Sequence, residues 1–218
     1  MASGKLFSGS EMLSFRGKPL PEPYGILQFW RLNLSELILN VIRGGFAEFI
    51  VQCALDMGGF KCIDDMMSGM EAWDLNGPEL TINGVKRPCR IEVKSCASVQ
   101  LNTPDENEPI SLPPTRLTFS IERKIDWASG SEEKHHNNDL YVFCHYKAVR
   151  KSDNILDLDL WDFYVFPTYR IREDKSLANQ KTISVWRLGY LGVQPVAFDG
   201  SFASIMQTIK AVEEHYKA

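Results

Sequence analysis

Apolar residues along this chain recur with two different periods. Leu37, Ile38, Val41 and Ile42 begin a helical stripe that resumes at Phe46, Phe49, Ile50 and Cys53, and Asn33-Leu34-Ser35-Glu36 ahead of it has the form of a capping box. Gly58-Gly59 ends the helix, while Gly44-Gly45 either interrupts it or lets another backbone approach closely. Further on the period changes to two. Arg90 to Ala97 reads as a strand with Ile91 and Val93 on an apolar face and Glu92 and Lys94 on the other. Asn76-Gly77-Pro78 and Asn83-Gly84 punctuate the stretch before it. An Asn-Gly pair between strand-like runs signals a hairpin, which would fold Asp74 back beside Glu92.

Downstream, Arg116 to Ile121 alternates as a strand, with Leu117, Phe119 and Ile121 on one side. Leu140 to Cys144 and Trp161 to Phe166 are dense apolar runs, the form of strands buried on both faces at the centre of a sheet. Leu156, Leu158 and Leu160 alternate with Asp157 and Asp159, which places these acids on the outward face of a strand. Thr182 to Trp186 is strand-like, and Phe202 to Tyr216 carries Ile205, Met206, Ile209 and Val212 at helical spacing. These elements predict an α/β fold, a mixed central β-sheet flanked by helices on both faces. Residues 1–32 are rich in Gly, Ser and Pro and read as an extended arm packed by Phe29 and Trp30, with Pro19-Leu20-Pro21-Glu22-Pro23 at its centre. Residues 33–218 read as one domain, interrupted by a proline-containing acidic loop from Thr103 to Pro114.

Composition narrows the setting. With 218 residues and 44% hydrophobic content the chain can bury a substantial core. It has no apolar run of membrane-spanning length and no leader-like amino terminus, which predicts a cytoplasmic protein without a membrane partner. Cys53, Cys62, Cys89, Cys96 and Cys144 are odd in number and lack a C-x-x-C pair, so they read as reduced, mostly buried thiols. His135-His136, in a run of polar neighbours, reads as a solvated loop. The formal charge of −4 is not that of a strongly basic nucleic-acid-binding domain. Local basic groups remain: Lys86, Arg87 and Arg90, then Arg123-Lys124, each either a set of phosphate contacts or a solvated edge. Lys147, Arg150 and Lys151 read as a solvated edge.

The chemistry sits where Ala72-Trp73-Asp74-Leu75 is followed by Arg90-Ile91-Glu92-Val93-Lys94-Ser95. An acid at the end of one apolar segment and Glu-x-Lys inside the next suit a metal-dependent phosphodiesterase. Mg²⁺ is a hard cation held by one or two carboxylates with phosphate oxygens and water, and a nearby ammonium can orient a water or offset developing charge. The same parity past Lys94 reaches Cys96, Ser98 and Gln100, a polar or small floor for such a site.

On these residues the chain resembles the PD-(D/E)xK superfamily of restriction-endonuclease-like nucleases. Asp74 stands at the first acid of the motif and Glu92-Val93-Lys94 at its (D/E)xK, with Trp73 where the family name has proline. Arg43 to Val51 is similar to the first core helix of such nucleases, in which a glutamate, here Glu48, faces the metal. The same residue also fits an ordinary solvent stripe with Asn40, Gln52 and Asp56. A glutamine after the motif recurs in parts of the family, here Gln100. The resemblance implies a restriction-endonuclease-like core and an endonuclease that hydrolyses DNA with Mg²⁺, or Mn²⁺ in its place. Asp74, Glu92 and Glu48 would hold metal, Lys94 would assist the attacking water, and two subunits would pair as a homodimer to cut both strands. The family also contains members without activity, so a nuclease-fold nucleic-acid-binding module is the alternative. A hydrolase of small phosphorylated molecules is disfavoured by the absence of a glycine-rich phosphate loop.

Overall fold

A computed structural model of the chain describes residues 8–19, 21–22, 25–60, 72–100, 109–110, 112–126, 130 and 132–217. In chain order the elements are β1 (Ser14–Phe15), β2 (Lys18–Pro19), α1 (Ile26–Leu34), α2 (Asn40–Met57), β3 (Leu75–Ile82), β4 (Val85–Ala97), β5 (Thr118–Ser120), β6 (Lys124–Ile125) and β7 (Lys134–His135). Then come β8 (Leu140–Tyr146), a 3₁₀ turn (Leu158–Leu160), β9 (Trp161–Pro167), α3 (Thr168–Glu173), β10 (Thr182–Ser184), α4 (Val185–Tyr190) and α5 (Phe198–His215). The central sheet has the order β3-β4-β8-β9. β3 and β9 run antiparallel to their neighbours and β4 runs parallel to β8, so the sheet is mixed.

The β3–β4 hairpin closes on Asn83-Gly84, where Asn83 (φ 51°) and Gly84 (φ 78°) both take the left-handed region that a two-residue turn of this hand requires. Ile82 then pairs with Val85 and Leu75 with Ile91. Gly77-Pro78 is not a turn but lies in β3, where the register shifts between Asn76 and Glu79. A Cβ on Gly77 would come within 2.6 Å of Ile91 Cδ1, so any other residue there would have to displace the buried Ile91 side chain.

The alternation within each strand sorts the core into two layers. Ile91 and Val93 of β4, Val142 and Cys144 of β8, and Phe163 and Val165 of β9 pack under α2 and α5 through Ile50, Leu55, Ile205 and Ile209. The opposite face carries Tyr141, Phe143, Tyr164 and Phe166, covered by Phe119 and Ile183 of the small β5–β10 ladder and by Ile171 and Leu188 of the short helices α3 and α4. Two long helices therefore cover one face, and a small ladder with two short helices covers the other.

Several sequence expectations change. Residues 26–34 are helical rather than extended, because once Gly25 bridges to Met12 the Ile26–Leu34 run is free of the prolines that precede it. The capping box does not form: α2 begins at Asn40 with Leu39 at its N-cap and no side-chain cap. Gly44-Gly45 neither breaks α2 nor receives another backbone, since a Cβ on either would meet nothing within 4 Å. Trp161 to Phe166 is an edge strand of the sheet, its outer side protected by the Phe163–Val196 bridge. Leu156 to Leu160 is not a strand. It is turn and 3₁₀ structure, in which Asp157 accepts from the Asp159 N–H at 3.1 Å. Val185-Trp186 leaves β10 to start α4, whose N-cap Ser184 accepts from the Arg187 N–H. Cys53, Cys89, Cys96 and Cys144 are free thiols. Cys62, Thr103 to Glu108 and the Phe29 side chain lie outside the described residues. Among the described residues no helix is long and apolar enough to cross a membrane.

Candidate active site

Asp74 is the residue just before β3, and the hairpin register sets its position. Its N–H donates to Ile91 O at 3.0 Å, and one residue later the Leu75–Ile91 pair opens the ladder. The Val93 N–H of β4 has run past the end of β3. The Asp74 carboxylate takes the place of the missing strand, with Oδ2 accepting from Val93 N at 2.8 Å. This hydrogen bond ties the first acid to the Glu-x-Lys strand.

Glu92 and Lys94 project from the same face of β4, opposite Tyr141 and Phe143 of β8 in the parallel register. That aromatic wall, with Tyr141 stacked on Phe143 and Phe143 on Phe119, removes Glu92 from water: it is 3% exposed. A carboxylate buried to this degree needs cations beside it. Two are present. Lys94 Nζ pairs with Glu92 Oε1 and also donates to Asp74 Oδ2 at 3.2 Å and to Val93 O at 3.0 Å. Lys124 Nζ, from the β6–β7 ribbon, lies 2.5 Å from Glu92 Oε1 and 3.9 Å from Asp74 Oδ1. Glu92 Oε1 is thus ion-paired twice.

The electrostatics follow from this crowding. Burial alone would lower the pKa of Lys94, but the Glu92 and Asp74 carboxylates outweigh it and raise it. Glu48 on α2 is pushed up to about 7, first by burial and then by the Asp74 charge, with Glu92 adding and Lys94 and Lys124 opposing. Glu48 therefore senses all four charged groups and is not the fully solvated stripe residue of the alternative reading.

Asp74, Glu92 and Lys94 are brought into direct contact, and Glu48 into electrostatic range. β4 ends at Ala97, so the strand parity stops short of Gln100, whose Nε2 donates back to Ala97 O at 2.9 Å. Cys96, expected on the polar floor, belongs instead to the aromatic layer. Among the described residues, no group of three or more His, Cys, Asp or Glu side chains is gathered closely enough to hold a metal ion. Asp74 and Glu92 supply two carboxylates, with Glu48 in electrostatic range of both.

The residue that sequence reasoning missed is Lys124, seen there only as half of a basic pair; no spacing signal links it to Glu92. Other basic groups are otherwise engaged. Arg87 donates twice to Asp139, at 2.6 and 2.8 Å, and Arg90 lies over the Trp73 ring at 4.1 Å. Lys147 pairs with Asp162 at 2.8 Å. His136 is buried, unlike a solvated-loop residue. Its Nδ1 meets the Tyr141 hydroxyl at 3.0 Å, and burial, with Arg172, Arg123 and His135, pushes its pKa down to about 4.

Comparison with known proteins returns no matching family model, no matching curated protein and no matching solved structure.

Proposed function

We propose that this chain is a metal-dependent nuclease that hydrolyses DNA phosphodiesters at the centre formed by Asp74, Glu92 and Lys94. The observation that carries the reading is the junction itself: an acid capping the Glu-x-Lys strand through the Val93 N–H, with the lysine touching both carboxylates. The mixed β3-β4-β8-β9 sheet with α2 against β4 supports a restriction-endonuclease-like core for the same reason, since it delivers those side chains to one end of one strand.

The residues fit a hard divalent cation. Asp74 and Glu92 place two carboxylates side by side, and the buried one already draws two ammonium groups to the position a cation would take. Asp74 and Glu92 would hold Mg²⁺ or Mn²⁺, which when bound supplies Lewis-acid stabilisation of a phosphoryl oxygen. Lys94, kept protonated by its two acid neighbours, acts as a cation: it orients water and offsets charge that develops on the phosphate. Glu48, with a pKa near neutrality, is the carboxyl group suited to exchange a proton with that water. Cutting both strands of a duplex at one place takes two such centres, so the reading includes pairing of two copies on DNA, which sedimentation with and without duplex would test.

A second reading has its own observation. Asp74 and Glu92 contribute two negative charges and Lys94 and Lys124 two positive ones, so the cluster is neutral without metal. A nuclease-fold module that binds nucleic acid without turnover would be stable in this form. Incubation with linear, nicked and single-stranded DNA separates the two. Cleavage with Mg²⁺ or Mn²⁺, little with Ca²⁺ and none in chelator is expected, together with loss of turnover in Lys94→Ala at an affinity within about tenfold of the parent, ~1.4 kcal/mol. Undiminished cleavage in excess chelator would falsify the metal-dependent reading. DNA binding without cleavage under any metal selects the second.

A further inference from the structure

Beside the proposed cleavage centre lies a cavity of ≈ 360 Å³ whose described lining includes Asn40, Arg43, Ser95, Gln100, Arg116 and Thr118, and none of its described lining residues is acidic. Arg43 is only 3% exposed. Its Nη1 donates to Ile38 O at 2.9 Å and its Nη2 to Asn40 Oδ1 at 2.6 Å, both neutral acceptors, while its Nε is buried with no hydrogen-bond partner. Among the described residues neither Arg43 nor Arg116 has a carboxylate partner. A guanidinium stays protonated when buried, and a buried charge without a counter-charge is destabilising. The fold has placed a cation here that nothing described in the chain neutralises.

Two further features have the same sign. Asn40 opens α2, an 18-residue helix whose N-cap makes no side-chain hydrogen bond and whose first intrahelical bond is Arg43 N to Leu39 O. The preceding N–H groups at this end thus lack helical acceptors and add a positive partial charge. Gly44 and Gly45 follow, with open space where side chains would stand. Gln100, which the family resemblance suggested for catalysis, is also among the residues that line this cavity.

We propose that this cavity binds a phosphate group of the nucleic acid, adjacent to the phosphodiester being cleaved. The chemical fit is direct: phosphate is an anion that only accepts, and the cavity offers a buried guanidinium, a second one at the rim, an amide and a helix terminus. The location fits as well. Ser95, on the cavity lining, follows Lys94 directly on β4. The identification of the ligand as nucleic acid rests on the nuclease reading, but phosphate binding itself does not.

The test is an arginine side-chain NMR titration of the full chain with inorganic phosphate in chelator, at fixed ionic strength. The Arg43 Nε–H signal, assigned by its loss in Arg43→Lys, should shift saturably, and exposed Arg116→Gln should raise the half-saturating phosphate concentration at least fivefold. No saturable shift of that signal, or an unchanged half-saturation in Arg116→Gln, overturns the site. Oligonucleotides with and without a 5′-phosphate distinguish the source: equal displacement of phosphate identifies an internal phosphodiester, whereas at least tenfold better competition by the 5′-phosphorylated strand identifies a terminal phosphate. Failure of either oligonucleotide to compete overturns the nucleic-acid assignment. No step requires turnover, so a chain that binds phosphate but cuts no DNA would sink the nuclease reading and leave this site standing.

Discussion

Replacing Glu48 by Gln should stabilise the protein above neutral pH and leave it nearly unchanged in mild acid. The carboxyl is pushed from 4.5 to about 7, chiefly by burial and next by the Asp74 charge. Between those values the unfolded chain has released the proton that the folded chain retains, so the native state binds more protons and stability falls as pH rises through the interval. The shift, taken at ~1.36 kcal/mol per pH unit, sets an upper limit of roughly 3 kcal/mol. Glu48 is only partly buried, and solvent screening reduces the expected penalty to about 1–2 kcal/mol. Glu48→Gln removes it. Urea unfolding in chelator at about pH 5 and about pH 8 should give a difference near zero at the first and about 1–2 kcal/mol in favour of the variant at the second. Added Mg²⁺ should erase the advantage if Glu48 acts within the metal site, because the cation offsets the charge that the fold otherwise resists. A variant less stable at the higher pH, or a difference independent of pH, refutes the placement of Glu48 among these charges.

Other substitutions probe the same cluster and its support. Asp74→Asn keeps an acceptor for the Val93 N–H but loses its charge beside Lys94, so in chelator it should cost about 1–2 kcal/mol and respond less to Mg²⁺; a variant more stable than the parent in thermal melts contradicts this. Lys124→Met removes one of the two cations at Glu92. It should lower the Mg²⁺ concentration needed for half-maximal thermal stabilisation several-fold, and an unchanged requirement means that Lys124 does not compete with metal. Asp139→Asn strips a nearly buried carboxylate from Arg87 and from the Arg90 N–H at the start of β8. A loss of about 2–4 kcal/mol in urea unfolding is expected, and one under about 1 kcal/mol would show the pair to be dispensable.

How far the sequence can be read depends on how far a contact reaches. The existence of the α2 helix, the β4 alternation and the Asn83-Gly84 turn were legible because each is written within a few residues. The buried apolar face of α2, however, is Ala47, Ile50, Val51, Ala54 and Leu55 rather than the whole expected stripe, of which Val41 and Phe49 are exposed. Leu156 to Leu160 shows the limit of the same reasoning. Its alternation is perfect, but the Asp157 side chain offers the Asp159 N–H a local hydrogen bond, and a 3₁₀ turn forms where a strand was expected. The apolar density of Trp161 to Phe166 correctly signals burial on both faces yet says nothing of position in the sheet. An edge strand bridged by Val196 and covered by α5 is as well buried as a central one.

The site divides along the same line. Glu92 and Lys94 share a strand face, and a hairpin of legible turn type returns Asp74 to them, so this trio follows from local rules. Gln100 depended on extending that parity past Ala97, and parity has no meaning once the strand ends. Lys124 was illegible for the opposite reason: it lies on a two-residue strand whose partner is β7, and only the packing of that ribbon over the sheet sets it on Glu92. From the local trio alone, Asp74 and Glu92 would be two like charges sharing a single lysine. With two ammonium groups present, the cluster is held together instead of strained, and on the proposed reading a metal would have to compete with Lys124 to enter. If the proposed metal site is right, its affinity would be set as much by how readily the β6–β7 ribbon releases its lysine as by the two carboxylates.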